Sequence, residues 1–277
     1  TAYATGPRRA ALGTYAFAGD VGKFSFAGGL GLLIAAGVDW RGPVVSLGVF
    51  TILTAAVILF VLLAAQVGGR PEMPQEKAAK AKVSGWGIQE PIGFGALLGI
   101  MIFDNCTRNV FLTFVAFLLI AGNVDTELAA MAIPAILLGG MWGKLACGFL
   151  AERVGIIRTV IITEVGTAIG IVVMIYVEGD MAFFVLPLLG IVLNGTSSVL
   201  QGTIGDLVDQ DRQSRAFGLF FAISAACGIV APLGFGLLAD AISIPATMFV
   251  ISGMLLLVFP LCLVLSPILR AAATPAE

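Results

Sequence analysis

Residues Val44–Ala65 read VVSLGVFTILTAAVILFVLLAA, 22 consecutive residues without a charge. A helix of that length rises about 33 Å, enough to cross a hydrocarbon core of roughly 30 Å. The apolar residues run on continuously instead of alternating, which suits a membrane helix and not the strand of a barrel. Outward from this stretch the pattern recurs. Apolar runs between polar breaks predict spans near 10–37, 44–65, 92–121, 128–150, 156–177, 181–204, 216–239 and 245–269. The expected fold is all-α, a polytopic membrane protein of about eight transmembrane helices.

Composition agrees. Of the 277 residues 59% are hydrophobic and 12% charged, with a mean hydropathy of +1.05. A soluble domain carries about 25% charged residues, so a water-soluble protein is excluded. The 35 glycines fit closely packed membrane helices. A net charge of −2 suggests no nucleic-acid partner. There is no histidine, and Cys106, Cys147, Cys227 and Cys262 are scattered through apolar runs, so no metal, cofactor or disulfide is expected. Thr1–Pro7 lacks the apolar core of a signal peptide, and the start at Thr1 leads us to expect a fragment of a longer chain.

Positively charged short loops stay on the cytoplasmic side. One side of the eight-span layout holds Arg8, Arg9, Arg70, Lys77, Lys80, Lys82, Arg153, Arg158, Arg212, Arg215 and Arg270, and the other holds only Arg41. Both termini are therefore expected in the cytoplasm. The stretch Val67–Glu90 is rich in Gly, Pro and Lys and reads as a cytoplasmic linker between two spans and the six that follow.

At an offset of 205 the first span aligns with the seventh: Gly13 with Gly218, Gly29 with Gly234, Gly31 with Gly236, and Leu32-Leu33 with Leu237-Leu238. Parallel repeats of this kind occur in secondary transporters. Between the fourth and fifth spans lies Gly148-Phe149-Leu150-Ala151-Glu152-Arg153-Val154-Gly155-Ile156-Ile157-Arg158. This resembles the cytoplasmic signature of the major facilitator superfamily, with Ile156 and Ile157 where bases are usual. Leu193–Ser198, Arg215-Ala216-Phe217-Gly218 and Gly236–Asp240 extend the resemblance over roughly 100–270.

The resemblance implies a major-facilitator-type bundle lacking its first four helices. Residues 1–66 would be the last two helices of the N-terminal bundle, 67–91 the cytoplasmic linker, and 92–277 the six-helix C-terminal bundle. It further implies a secondary transporter of a small organic solute working by alternating access, for which the missing N-terminal helices of the parent chain complete the cavity. The expected partners are the lipid bilayer, a small-molecule substrate and protons, and the expected location is the cytoplasmic membrane. By the same resemblance, Gly148, Glu152, Arg153, Gly155 and Arg158 form a conformational switch that latches one side of the carrier. The alternative is an ordinary positively charged loop.

A charge in the bilayer core costs at least about 2.5 to 3.5 kcal/mol on insertion scales, which makes each intramembrane ionisable group a functional candidate. Asp20 and Lys23 lie three residues apart in the first span, and Asp104 and Arg108 four apart in the third, so each pair shares a helical face. Both pairs lie roughly 16 to 24 Å from one end of their helices. With the cavity-facing placement that the resemblance implies, all four are expected to serve substrate binding or proton coupling; the alternative is mutual neutralisation along each helix. Lys144 and Glu164, both roughly 12 to 14 Å from the ends of spans joined by a tight turn, are expected to form a structural ion pair between the fourth and fifth spans; a role in coupling is the alternative. Asn194 and Gln201, on one stripe with Ser197 and Ser198, are candidates for substrate lining or for interhelical hydrogen bonding.

An enzyme is not expected. No histidine is present to ligate a metal and no nucleophile elbow occurs. A Ser197/Lys144 dyad is the one hydrolytic arrangement the composition leaves open. A non-transporting or partner-dependent membrane half-protein is the other alternative.

Overall fold

The computed structural model describes residues 8–65, 87–209 and 212–273. Most of the expected linker, with Arg70, Lys77, Lys80, Lys82 and Trp86, lies outside them. The helices are α1 (Arg8–Ala35), α2 (Arg41–Ala64), α3 (Pro91–Ala121), α4 (Ala132–Val154), α5 (Ile156–Tyr176), α6 (Ala182–Leu207), α7 (Gln213–Ile242), α8 (Ile244–Met254) and α9 (Val258–Ala273). A 3-10 turn, Leu255–Leu257, joins α8 to α9 in one rod. Pro260 explains it: the ring has no N–H to give to residue 256 and crowds that carbonyl, so the preceding turn tightens.

The eight expected spans thus correspond to α1 to α7 and the α8–α9 rod. All except α1 are long and apolar enough to cross a membrane. With 28 residues α1 has the length, but Asp20, Lys23 and six glycines dilute its apolar character. The fourth span begins at Ala132, not 128, because a separate helical turn, Thr126–Ala129, precedes it. Among the described residues there is no strand; an isolated bridge pairs Ile88 with Val208. Around it Gln89 N donates to Leu207 O at 3.0 Å and Asp209 N to Gly87 O at 2.9 Å, fastening the approach to α3 onto the end of α6.

The chain divides into two compact units. One, beginning at Gly28, contains the last turns of α1 and all of α2, none of whose residues is buried. The other contains α1 up to Ala27 and everything described from residue 87 onward.

The core of this larger unit is split along the helix axes. One apolar cluster contains Leu97 and Ile100 of α3, Cys147 of α4, Val160 of α5, Leu200 and Ile204 of α6, Phe220 of α7 and Cys262 of α9. The second contains Phe111 and Val115 of α3, Ile136 of α4, Ile171 of α5, Leu189 of α6, Ala231 of α7 and Ile251 of α8. Between the two, each helix passes through a polar stretch: Asp104–Arg108, Lys144, Glu164, Asn194–Ser198, Ser224 and Ser252. A polar layer therefore separates two apolar halves.

Glycine brings α4 and α6 together. A Cβ on Gly139 would land on the carbonyl of Pro187, one on Gly143 on that of Ile191, and one on Gly190 on that of Ile136. The obstacles are backbone atoms, which cannot swing aside as a side chain does. Overpacking of a tight contact typically costs about 1–3 kcal/mol and more where backbone is hit. Gly143→Leu should therefore abolish recovery of folded, monodisperse protein from the membrane. Gly95→Ala, where a Cβ meets nothing within 4 Å, should leave size-exclusion behaviour and thermal stability unchanged or slightly improved.

Candidate functional site

Three carboxylates are buried among the described residues: Asp20 at 2% exposure, Asp104 at 5% and Glu164 at 2%. They lie on α1, α3 and α5, and the polar stretches of those helices bring them into one cluster with cations from α1, α3 and α4.

Asp20 is held by two lysines. Its Oδ2 is 2.7 Å from Lys144 Nζ on α4, and its Oδ1 is 3.0 Å from Lys23 Nζ one turn along α1. The Lys144 side chain is 12% exposed and that of Lys23 63%, so the α1–α4 bridge is the sheltered one. Phe17 and Trp142 pack beside it with ring centroids 5.4 Å apart, joining the same two helices. Trp142 is thus a packing residue at this joint. Trp40 caps the start of α2 with the Arg41 guanidinium 4.8 Å over its ring.

This geometry corrects one expectation. Lys144 does not pair with Glu164; it pairs with Asp20. The expected pairing rested on the equal depth of Lys144 and Glu164 in helices linked by a tight turn. Depth does not set rotation about the axis, and on α4 the lysine is turned toward α1.

On α3, Arg108 Nη1 lies 3.6 Å from Asp104 Oδ2, one turn back. Its other terminal nitrogen donates to Asn105 Oδ1, and the same oxygen accepts from Ser224 Oγ of α7 at 2.8 Å. Asn105 Nδ2 donates to Met101 O at 2.9 Å. Asn105 therefore orients the guanidinium and ties α3 to α7. Neither Asn105 nor Ser224 was among the residues expected here, although an amide between Asp104 and Arg108 inside a span was the available signal. Asp104 is within electrostatic reach of Lys144 as well as of Arg108, which makes the α1–α4 and α3 pairs parts of one group.

The polar stripe of α6 does a different job. Asn194 is 6% exposed, donates to Gly190 O at 3.3 Å and packs its amide against Gly140 of α4. Ser198 Oγ donates to Lys144 O at 3.1 Å, and Thr196 Oγ1 donates to Thr163 Oγ1 of α5 at 2.7 Å, so both hold helices together. Ser197 Oγ donates within its own helix, to Asn194 O at 2.9 Å. Gln201 is half-buried one turn further on. With its Oγ committed to Asn194 O, Ser197 makes no hydrogen bond to Lys144 of the kind a nucleophilic dyad needs.

The segment expected to act as a switch forms the turn between α4 and α5. Gly148 is buried in the last turns of α4, and Gly155, at φ +97°, ends α4 and opens α5. That left-handed conformation is open to glycine at no steric cost. Glu152, Arg153 and Arg158 are exposed around the turn. A cleft of about 840 Å³ opens there, lined by Glu152, Gly155 and Arg158 together with Asp206 of α6 and Ser266 and Arg270 of α9.

Long apolar rods packed through glycine contacts, with a buried ionic cluster between apolar layers, define a polytopic helical membrane protein whose interior is built to hold charge. Residues 97–277 match the Major Facilitator Superfamily, and the chain belongs to that superfamily of membrane transporters. No curated protein matches the chain.

Breaking a buried ion pair from one side leaves an uncompensated charge and costs about 3–5 kcal/mol. Lys144→Met leaves Asp20 with only the exposed Lys23 and should destabilise the protein by up to that amount in denaturant titrations in mixed micelles. Adding Asp20→Asn to the same chain should restore most of the loss, because the stranded carboxylate is then removed.

Proposed function

We propose that the protein is part of a proton-coupled secondary transporter that moves a small organic solute by alternating access. The observation that supports this best is the ionic cluster of Asp20, Lys144, Asp104 and Arg108, sheltered among the helices where charge is costly, with the more exposed Lys23 beside Asp20. Ionisable groups at that depth mark solute and proton pathways in membrane proteins. Asp20 and Asp104 are carboxyl groups able to carry a proton, and Lys23 and Arg108 are cations able to meet an anionic group of the solute. Asn194 and Gln201 supply amides on the neighbouring stripe. The Asp20–Lys144 bridge joins α1 to α4, so a change of charge at Asp20 would loosen that joint and let the two helices separate.

In this reading Gly148, Glu152, Arg153, Gly155 and Arg158 act as the switch on the cytoplasmic face, both ends of the chain are cytoplasmic, and the protein resides in a cytoplasmic membrane. The distribution of Lys and Arg supports that orientation. The second reading, a half-protein that works only with further helices, is favoured by α2, which buries no residue. Gradient-driven transport by this chain alone in proteoliposomes would eliminate it.

Asp104→Asn keeps the shape of the side chain and removes its ionisation. In proteoliposomes carrying the longest native form of the protein, with a pH gradient imposed and a panel of sugars, amino acids and organic acids offered, it should reduce gradient-driven solute movement to background. Membrane insertion and monodispersity should be retained. Undiminished coupling in this variant would remove Asp104 from the mechanism.

A further inference from the structure

Glu164 is 2% exposed, and neither of its carboxyl oxygens has a hydrogen-bond partner in the protein. The groups around it account for this. From α3 the charged groups in reach are Asp104 and Arg108. From α6 the nearest polar group is the Thr196 hydroxyl, but its proton goes to Thr163 Oγ1. Thr163 in turn donates to the backbone carbonyls of Thr159 and Val160. From α9 comes the Cys262 thiol, and α8 has no ionisable residue. Lys144 of α4 is engaged with Asp20. Glu152, Arg153, Arg158, Asp206 and Arg270 belong to the Gly155 end, where all but Arg153 line the cleft.

The charges fix the conclusion. Among the described residues the sheltered cations of this cluster, Lys144 and Arg108, lie against Asp20 and Asp104, and the third cation, Lys23, is largely exposed and also lies against Asp20. None of these cations forms an ion pair with Glu164, so an ionised Glu164 would be a buried charge without a direct partner, which costs several kcal/mol inside a protein. A carboxyl group avoids that cost by taking up a proton. Hydrogen bonding points the same way: an ionised Glu164 finds no free donor nearby, whereas a protonated one finds a lone-pair acceptor in Thr196 Oγ1.

We propose that Glu164 is the second proton-carrying carboxyl of the bundle: it holds a proton as the neutral acid here and exchanges it with Asp104 as Arg108 moves from one carboxylate to the other. The exchange balances. Neutral Glu164 with the Asp104–Arg108 ion pair becomes neutral Asp104 with a Glu164–Arg108 ion pair, one proton crosses between the two carboxyls, and net charge is unchanged. The looseness of the Asp104–Arg108 contact, 3.6 Å against about 2.7–2.9 Å for a tight charged hydrogen bond, suits a cation shared between two partners. The role in transport rests on the proton-coupled reading; the proton on Glu164 does not.

The test needs no substrate. Infrared spectra of the full chain in lipid nanodiscs at neutral pH should contain the carbonyl stretch of a protonated carboxyl. The band should persist in Asp20→Asn, shift in Glu164→Asp and vanish in Glu164→Gln. It should also vanish in Asp104→Asn, where Arg108 is freed to pair with Glu164 and ionise it. A wild-type protein without the band, or a Glu164→Gln protein that keeps it unchanged, would overturn the proposal, and a band that survives Asp104→Asn would overturn the exchange. Circular dichroism and size exclusion establish that each variant is folded, and Glu164→Asp supplies the assignment should Glu164→Gln not fold. If the band is assigned to Glu164 while Asp104→Asn transports normally, the coupling reading falls and the Glu164 proton stands. If coupling is lost in Asp104→Asn but the band survives Glu164→Gln, only the present proposal falls.

Discussion

Everything distinctive about this bundle follows from placing ionisable groups where water does not reach. Asp20, Asp104 and Glu164 are nearly inaccessible, yet among the described residues only two of the three lie in ion pairs. Each buried charge needs a partner from somewhere, and the helices are arranged to supply one. Lys144 crosses from α4 to α1, Asn105 braces Arg108, and Ser224 reaches Asn105 from α7. Without those partners the charged layer would be untenable, and with them it ties α1 to α4 and α3 to α7 between the two apolar clusters.

The apolar halves on either side give that layer its setting. Leu97 and Ile100 sit on one side of Asp104, and Phe111 and Val115 on the other. The same alternation holds along α4, where Cys147 and Ile136 flank Lys144, and along α5, where Val160 and Ile171 flank Glu164. The apolar clusters hold the helices together on either side of the polar layer. Through Gly139, Gly143 and Gly190 the backbones of α4 and α6 come into close contact beside this layer.

Much of the fold was legible because a bilayer makes severe demands on sequence. Continuous apolar runs of about 20 residues report helices directly, and the span ends follow the polar breaks to within a few residues. Small departures have local causes, such as the 3-10 turn ahead of Pro260 and the detached turn before Ala132. The importance of Asp20, Asp104 and Glu164 as buried carboxyl groups was visible for the same reason: in an apolar span such a group stands out. Asn105 was harder to read, because an amide beside two charged residues gives no sign of which one it serves.

Sequence alone thus determined the class of protein, the position of its helices, and where along its helix each polar group falls, all of which depend on distance along the chain. Tertiary structure decided the partners. Lys144 and Glu164 sit at matching depths and were expected to pair, yet rotation of α4 about its axis turns the lysine to Asp20 and leaves the glutamate beside Asp104 and Arg108. Asn194 likewise lies on the expected stripe but faces Gly140. Depth is written in residue count at about 1.5 Å per residue, whereas the direction a side chain faces is set by how neighbouring helices pack, and no single helix encodes that.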